Sequence, residues 1–155
     1  MRFCDNDNLG ALLYVDAFDL ALQAHKNQVD KCGEPYFLHS MRIAAHFQEL
    51  DDADAAIVAL LHDVVEDTWV SLGFLEDRFP ENIVDAVDAI TRRKDEQYKA
   101  YVRRCIKNDI ARRIKRQDVL DNLRPDRMWR DAPLSRYYWT LAAIEGYERN
   151  AREKL

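Results

Sequence analysis

The sequence ADAAIVALLHDVVEDT, residues 53–68, joins an almost wholly apolar stretch to a compact group of polar residues. Its apolar residues recur at steps of three and four and cover more than one helix face, which is typical of a helix buried on most sides. Asp51 or Asp52 can accept hydrogen bonds from the free amides of the first turn. The stretch therefore predicts a central helix over residues 53–66, around which the other elements pack.

Similar spacing on either side predicts further helices, and no convincing alternating strand pattern occurs. Gly33 and Pro35 place a loop at residues 29–36, because they favour turns over helix. The predicted helices cover about residues 9–28, 38–50, 71–79, 81–91, 96–107, 110–123 and 133 onward. With the central helix, the sequence predicts an all-α bundle of about seven or eight helices.

Length and composition favour one soluble domain. The 155 residues suit a single domain over 1–155, with 48% hydrophobic and 33% charged residues. Nothing approaches the roughly 18 apolar residues of a membrane span, and the start MRFCDNDN lacks a signal pattern. We expect a cytoplasmic protein without a membrane partner, in which Cys4, Cys32 and Cys105 are reduced thiols.

The net charge of −5 conceals an asymmetry along the chain. Residues 1–90 carry 5 Lys and Arg against 18 Asp and Glu, whereas residues 91–155 carry 18 against 10. The acidic part suits a cation and the basic part suits a phosphorylated ligand, although such runs also form solvated helix faces. The acidic total disfavours nucleic-acid binding over the whole surface.

The central helix ends in His62, Asp63, Glu66 and Asp67, and such a cluster is costly at the end of an apolar helix unless it has partners. Residues four apart share a face, so His62 lies over Glu66 and Asp63 over Asp67. One imidazole beside three carboxylates suits Mn²⁺, Fe²⁺ or Zn²⁺ better than Ca²⁺. A capped, solvated helix end is the competing interpretation.

Two more residues can join this cluster. His39 begins the second predicted helix, and Asp118 lies among apolar residues of the helix at 110–123, where a carboxylate needs a partner. A metal ion is one such partner. His25 and His46 are interpreted as structural residues and not as ligands.

Four segments, in order, resemble the HD-type hydrolases of the RelA/SpoT alarmone family. The opening segment runs from Ala24-His25 through Lys31 and Gly33-Glu34-Pro35-Tyr36 to His39. The central segment is Ala59-Leu60-Leu61-His62-Asp63-Val64-Val65-Glu66-Asp67-Thr68, followed by Val87-Asp88-Ala89-Ile90-Thr91 and by Ile114-Lys115, Asp118, Leu120 and Asn122-Leu123-Arg124. Residues 24–124 therefore carry the resemblance.

The resemblance implies an HD-domain fold and a metal-dependent enzyme that hydrolyses the 3′-pyrophosphate of a guanosine alarmone such as ppGpp or pppGpp. It implies one divalent ion, Mn²⁺, with His39, His62, Asp63 and Asp118 as ligands. Glu66 and Asp67 correspond to the acidic catalytic pair. Lys31 and Asn122 correspond to nucleotide contacts, and Lys115 and Arg124 are further candidates to hold phosphates. The family's synthetase and regulatory domains have no counterpart in the sequence, which suggests a stand-alone small hydrolase.

One departure concerns the base. Asp30 stands where the family usually has an arginine that stacks on guanine, so the sequence predicts that Asp30→Arg improves the reaction with a guanosine 3′-pyrophosphate. The same departure keeps open a hydrolase for another 3′-phosphorylated nucleotide, a cofactor or a pyrophosphorylated RNA end. A non-catalytic nucleotide-binding or antitoxin-like HD module is the alternative of another class. The tryptophans, including Trp129, and the tyrosines of the last helix suit packing or a homo-oligomer contact better than base stacking.

Overall fold

The computed structural model describes residues 5–154, and over that range it contains helices, turns and loops with one isolated β-bridge between Val29 and Pro35. The all-α class predicted from the sequence is confirmed. The α-helices of the described range are α1 (Asp5–His25), α2 (Phe37–Glu49), α3 (Ala53–Leu61), α4 (Val64–Asp67), α5 (Leu72–Glu76), α6 (Glu81–Ile90), α7 (Tyr98–Cys105), α8 (Asp109–Asn122) and α9 (Leu134–Arg152), with a 3₁₀ turn at Pro125–Arg127.

Two structural observations concern the cysteines and the length and hydropathy of the helices. Cys32 and Cys105 are free thiols, and Cys4 lies outside the described residues. Within residues 5–154, none of the helices combines the length and the hydropathy that crossing a bilayer demands.

Helix α3 lies at the centre of the bundle. Every residue from Ala55 to Leu61 is buried, and the helix packs against α1, α2, α6 and α8. Three of these buried residues are alanines, whose small side chains let neighbouring helices approach closely. As the sequence predicts, the Asp52 carboxylate caps the helix by accepting from the Ala55 amide at 3.1 Å.

The single helix predicted over residues 53–66 is divided in two, because α3 ends at Leu61 and α4 begins at Val64. At the break, His62 Nδ1 lies 2.8 Å from the Ala59 carbonyl oxygen. The Asp63 backbone has φ −109° and ψ −4°, and its side chain does not cap α4. Because of this division, residues 5–154 contain nine α-helices, whereas the sequence pattern predicted seven or eight.

Helix α8 carries Asp118, one of the expected metal ligands, among buried apolar residues. It is capped by Asn108, which has the extended backbone of a cap and accepts from the Ala111 amide at 3.0 Å. Ile114 and Val119 are buried in the core, and Asp118 is buried beside them.

Arg104 on α7 holds the end of α6. Its guanidinium donates to the carbonyl oxygens of Asp88, Ala89 and Thr91 at 3.0, 3.1 and 2.8 Å. These carbonyls belong to the last turn and the end of α6, where partners within the helix run out. Glu96 holds the same guanidinium through two further bonds of 2.9 and 2.8 Å. Arg104 and Glu96 together thereby fix the connection between α6 and α7.

Candidate metal centre and cleft

His39, His62 and Asp118 converge from three parts of the bundle. They lie near the start of α2, between α3 and α4, and on α8, and all three are buried. Each offers one ligand atom, and these atoms all lie within 4.8 Å of one another. Within this cluster, His39 Nε2 lies 3.2 Å from Asp118 Oδ1. Three of the four ligands expected from the sequence thus form one cluster.

Asp63, the fourth expected ligand, lies at the edge of this cluster. Its Oδ2 is 2.8 Å from His62 Nε2 and accepts a 2.5 Å hydrogen bond from the Tyr36 hydroxyl. Burial and the negative charge of Asp63 raise the pKa of the Tyr36 phenol far above its ordinary value, so the phenol remains a donor.

The donor set fits a divalent cation. His62 Nε2 is buried and makes no hydrogen bond, because the approach of Asp63 lacks hydrogen-bond geometry. The other ring nitrogen, Nδ1, faces the Ala59 carbonyl and can donate to it, so a proton lost from the ring leaves from Nε2 and frees a lone pair there. A buried lone pair beside two carboxylates is the arrangement that an imidazole ligand of a metal ion adopts.

His39 is held from behind in a similar way. Its Nδ1 lies 2.7 Å from Asp121 Oδ2, so Nε2 is turned toward Asp118. Arg42 donates to both oxygens of Asp121, at 2.8 and 3.0 Å, and the buried Arg127 also donates to Asp121. A carboxylate behind a ligating histidine fixes its tautomer and raises its basicity.

The charges of the cluster balance one another. Burial alone lowers the pKa of His62, but the negative charges of Asp63 and Asp118 outweigh it and raise this pKa to about 9. Burial opposes the ionisation of Asp118, but Lys115, whose Nζ lies 2.7 Å from Asp118 Oδ2, holds the pKa of that carboxyl well below its usual range. An imidazolium on His62 thus neutralises part of the negative charge of the cluster, and a metal ion held there would take the place of that proton.

A cleft of about 520 Å³ opens beside the cluster. Asn122 connects the two, because it lines the cleft and donates to Asp118 Oδ1 at 2.6 Å. Asp67 also lines the cleft, whose walls remove water from its carboxyl; this desolvation, followed by the charges of Asp63 and Glu66, raises the pKa of Asp67 to about 6. The cleft is lined by Gln28, Val29, Asp30, Lys31, Tyr36, Asp67, Asn122, Arg127, Trp129 and Tyr137.

Glu66 faces a different cavity, of about 380 Å³, which it shares with the basic residues Arg92, Arg93 and Lys94. Its Oε2 accepts from the Arg92 amide at 3.0 Å. Desolvation raises the pKa of Glu66, although the Arg92 amide works in the opposite direction. The two neighbouring acids of α4 therefore open on two different cavities.

The residues expected to bind substrate fall in three places. Lys31 and Asn122 line the 520 Å³ cleft. Lys115 contacts the expected metal ligand Asp118 instead. Arg124 is exposed, pairs with Asp126 at 2.8 Å, and lines a separate depression of about 210 Å³.

The sequence family agrees with this geometry. Residues 17–125 match the family model described as HD domain, which covers most of the chain and all of the residues of the cluster. The chain belongs to the HD domain family. The resemblance noted in the sequence motifs is thereby confirmed at the level of the family.

Individual relatives point in the same direction. This HD domain is 30% identical over 117 residues to the guanosine-3′,5′-bis(diphosphate) 3′-pyrophosphohydrolase of Aquifex aeolicus, covering 70% of the chain and 17% of the relative. It is 38% identical over 81 residues to a probable enzyme of the same name from Synechocystis, covering 52% and 11%. The chain thus spans less than a fifth of the length of these relatives.

A solved structure shares the fold. It is described as a metazoan ortholog of SpoT that hydrolyses ppGpp, and the two superpose with a TM-score of 0.70 at 23% identity. The superposition covers 93% of this chain and 86% of the other.

Two buried residues of this HD domain, Asp121 and Arg127, were not predicted from the sequence. Asp121 follows Asp118 by three residues on the same helix face, which was an available signal. Arg127, in the 3₁₀ turn, had none, because its contacts with Asp121 and with Asp30 arise only from the fold. His25 is structural, as expected, since its Nδ1 bonds Gln28 at 2.7 Å and Gln28 in turn donates to the Asp67 carbonyl.

Asp30 has a role other than the one its position in the motif suggested. Its Oδ1 accepts from the amides of Cys32 and Glu34 at 2.8 and 3.0 Å, and its Oδ2 lies 3.3 Å from Arg127 Nε. The side chain is only 6% exposed. The carboxylate therefore organises its own loop and joins it to Arg127.

Proposed function

We propose that this HD domain is a metal-dependent phosphohydrolase that removes the 3′-pyrophosphate of a guanosine alarmone of the ppGpp or pppGpp type. The observation that carries the proposal is the convergence of two buried imidazoles and a buried carboxylate beside a cleft large enough for a nucleotide. The curated relatives named above support it, because their printed names state this reaction.

His39, His62, Asp63 and Asp118 are proposed to hold one divalent ion, and the mixture of imidazole with carboxylate suits Mn²⁺, Fe²⁺ or Zn²⁺. Mn²⁺ is proposed among these because the resemblance of the motifs implies it. When bound, such an ion polarises phosphoryl oxygens and lowers the pKa of water toward about 7. Asp121 contributes by fixing the His39 ring, and Tyr36 by fixing one oxygen of Asp63.

Asp67 and Glu66 are proposed as the catalytic acids. With a pKa of about 6, Asp67 keeps a fraction of its protons near neutral pH and can donate one to the departing sugar oxygen from the wall of the cleft. Glu66, whose Oε2 accepts from the Arg92 amide, is proposed to orient the attacking water. Proton transfer of this kind contributes about 10²- to 10⁴-fold to a rate.

The substrate is proposed to lie in the 520 Å³ cleft. Lys31 offers a cation to its phosphates, and Asn122 bridges the cleft to Asp118. Lys115 is proposed to contribute its positive charge to the phosphate end of the substrate while it remains paired with Asp118. Arg124 would have to break its ion pair with Asp126 to contact the same ligand. The single domain over residues 1–155 and the cytoplasmic location belong to the same proposal.

Two other functions remain alternatives. A hydrolase for another 3′-phosphorylated nucleotide, for a cofactor or for a pyrophosphorylated RNA end would use the same acids and the same cluster. A non-catalytic nucleotide-binding or antitoxin-like module is disfavoured by Glu66 and Asp67, because binding alone needs no second pair of acids beside the proposed ligands.

A product assay separates these functions. The purified chain with Mn²⁺ is incubated with a panel of 3′- and 5′-phosphorylated nucleotides, and the products are separated and identified. We expect pyrophosphate and a 3′-hydroxyl from guanosine 3′,5′-bis(diphosphate), with little reaction at 5′-phosphates. Turnover of another 3′-phosphorylated compound alone would support the broader hydrolase, and no turnover of any would support the binding module.

A further inference from the structure

The 520 Å³ cleft is lined by aromatic as well as polar side chains. Asp67 and Asn122 provide the acidic and amide groups, whereas Trp129 and Tyr137 provide aromatic rings. Trp129 is half-buried in the segment between the 3₁₀ turn and α9. A ligand that carries both a phosphorylated group and an aromatic ring matches this lining.

Position 30 cannot supply the base contact in this chain. The Asp30 carboxylate is used by two amides of its own loop and by Arg127, and its side chain is 6% exposed. A carboxylate also lacks the planar cation that stacks on a base. The contact with a base must therefore come from another wall of the cleft.

Trp129 differs from the other tryptophans in its surroundings. Trp69 packs edge-to-face against Phe74 with ring centroids 5.4 Å apart, and Lys99 Nζ lies 5.2 Å from the ring centroid of Trp139. In the part of the chain that the structure describes, neither an aromatic ring nor a cation packs on Trp129 in this way. Its ring lines the cleft without a stacking partner.

We propose that Trp129 is the stacking residue for the base of a nucleotide whose phosphorylated end lies toward Asp67 and Asn122. The inference rests on the proposed function and deepens it, because it assigns the base-binding end of the same cleft. Every base has a π-face, so stacking gives affinity with weak selectivity among bases. The substrate class is accordingly 3′-phosphorylated nucleotides, and purine nucleotides are favoured because a purine ring offers a larger area for stacking. Guanosine nucleotides are members of this class.

Tryptophan fluorescence tests the inference without turnover. The chain has three tryptophans, so a Trp69→Phe/Trp139→Phe variant reports on Trp129 alone. We expect guanosine 3′-monophosphate and adenosine 3′-monophosphate, added to the Mn²⁺-loaded protein, to quench this signal with dissociation constants within about tenfold of each other. Inorganic pyrophosphate, which has no base, should not quench it. A Trp129→Phe/Trp139→Phe variant, which retains Trp69, is the matched control and should show no quenching by any of the three.

Affinity measurements by calorimetry complete the test. Trp129→Ala should weaken binding of both nucleotides about 5- to 100-fold, the range for one base-aromatic stack, whereas Trp129→Phe should retain most of the affinity. Pyrophosphate binding should change in neither variant, which also shows that the cleft is folded. Unquenched Trp129 fluorescence, or wild-type nucleotide affinity in Trp129→Ala, would overturn the inference. Quenching without hydrolysis of any 3′-pyrophosphate would instead retain the inference and reject the proposed hydrolase.

Discussion

The Asp121 carboxylate lies 2.7 Å from Nδ1 of His39, on the opposite side of the imidazole ring from Nε2, which faces Asp118. Asp121 is itself held by Arg42 and Arg127, so the orientation of one proposed ligand depends on residues that touch no metal. The arrangement shows how α8 supplies both a ligand and the support for a ligand on α2.

Changing this support should weaken metal binding without abolishing it. Asp121→Asn keeps the size of the side chain but removes its charge, and we expect the affinity for Mn²⁺ to fall about 10- to 100-fold. Titration with a competing chelator measures this affinity. An exposed carboxylate outside the site provides the control, and Glu76→Gln should leave the affinity unchanged. Equal affinities in all three proteins would mean that Asp121 has no role in positioning His39.

Removing a proposed ligand should have a larger effect. His62→Ala and Asp118→Ala are each expected to lose the bound metal, because each deletes a buried donor atom of the cluster. Elemental analysis of the purified variants gives the metal content per chain. His46→Ala, a histidine outside the cluster, should retain the wild-type content. The proposed site is wrong if His62→Ala and Asp118→Ala still carry one ion per chain.

The acids of α4 should separate binding from chemistry. Asp67→Asn and Glu66→Gln are expected to keep the metal and to lower kcat by about 10²- to 10⁴-fold, because these groups are proposed to move protons and orient water. Metal content and steady-state rates are measured on the same preparations. Wild-type rates in both variants would remove the catalytic assignment and favour a binding module.

The Asp30 loop gives an expectation opposite to the one drawn from the motif. Asp30→Arg should raise KM and lower the free energy of unfolding by about 1–3 kcal/mol, because two amides and Arg127 lose a buried acceptor. Lys31→Gln, which lies beside it in the cleft, should raise KM with little change in stability. Denaturant titrations and kinetics on both variants decide, and a lower KM in Asp30→Arg would restore the interpretation from the sequence.

Acid should weaken the support of α6. Hydrogen bonds from Arg104, acting against slight desolvation, lower the pKa of Glu96 to about 2 from an ordinary value of 4.5. A depressed carboxyl pKa contributes stability that is complete above about pH 4.5 and is lost as the pH falls toward 2. We therefore expect Glu96→Gln to cost about 1–2 kcal/mol at pH 7, allowing for solvent screening, and almost nothing near pH 2. Urea unfolding at a series of pH values measures the difference, and a difference independent of pH would contradict this role of Glu96.

The sequence was sufficient for the fold class, because the fold class depends on local patterns, whereas the motifs of the resemblance supplied the candidate residues of the cluster. The period of apolar residues predicts the helices, and His62-Asp63 stands out at the end of the most apolar one. The break after Leu61 has no such local pattern. Asp63, which follows the break, accepts a hydrogen bond from Tyr36, a residue 27 positions earlier in the chain. Asp121 and His39 are 82 residues apart, and no local spacing connects them.

The same limit applies to the cleft. Asp30 was compared with a motif, but its side chain is occupied by Arg127, which follows it by almost a hundred residues. Trp129 was interpreted as a packing residue because a lone tryptophan gives no indication of which cavity it faces. The local sequence pattern therefore could not predict which side chains the packing of distant helices brings together.

The proposed ligands come from three separate parts of the chain, which has a consequence for the stability of the fold. An ion shared by His39, His62 and Asp118 would cross-link α2, the α3–α4 break and α8 at their point of closest approach. It would close two long stretches of chain in the folded state and bind little to the unfolded one, so at a free concentration of 100 Kd it would add about 2.7 kcal/mol to stability. Melting temperature would then track the supply of metal, and chelation would leave a looser protein as well as an inactive one.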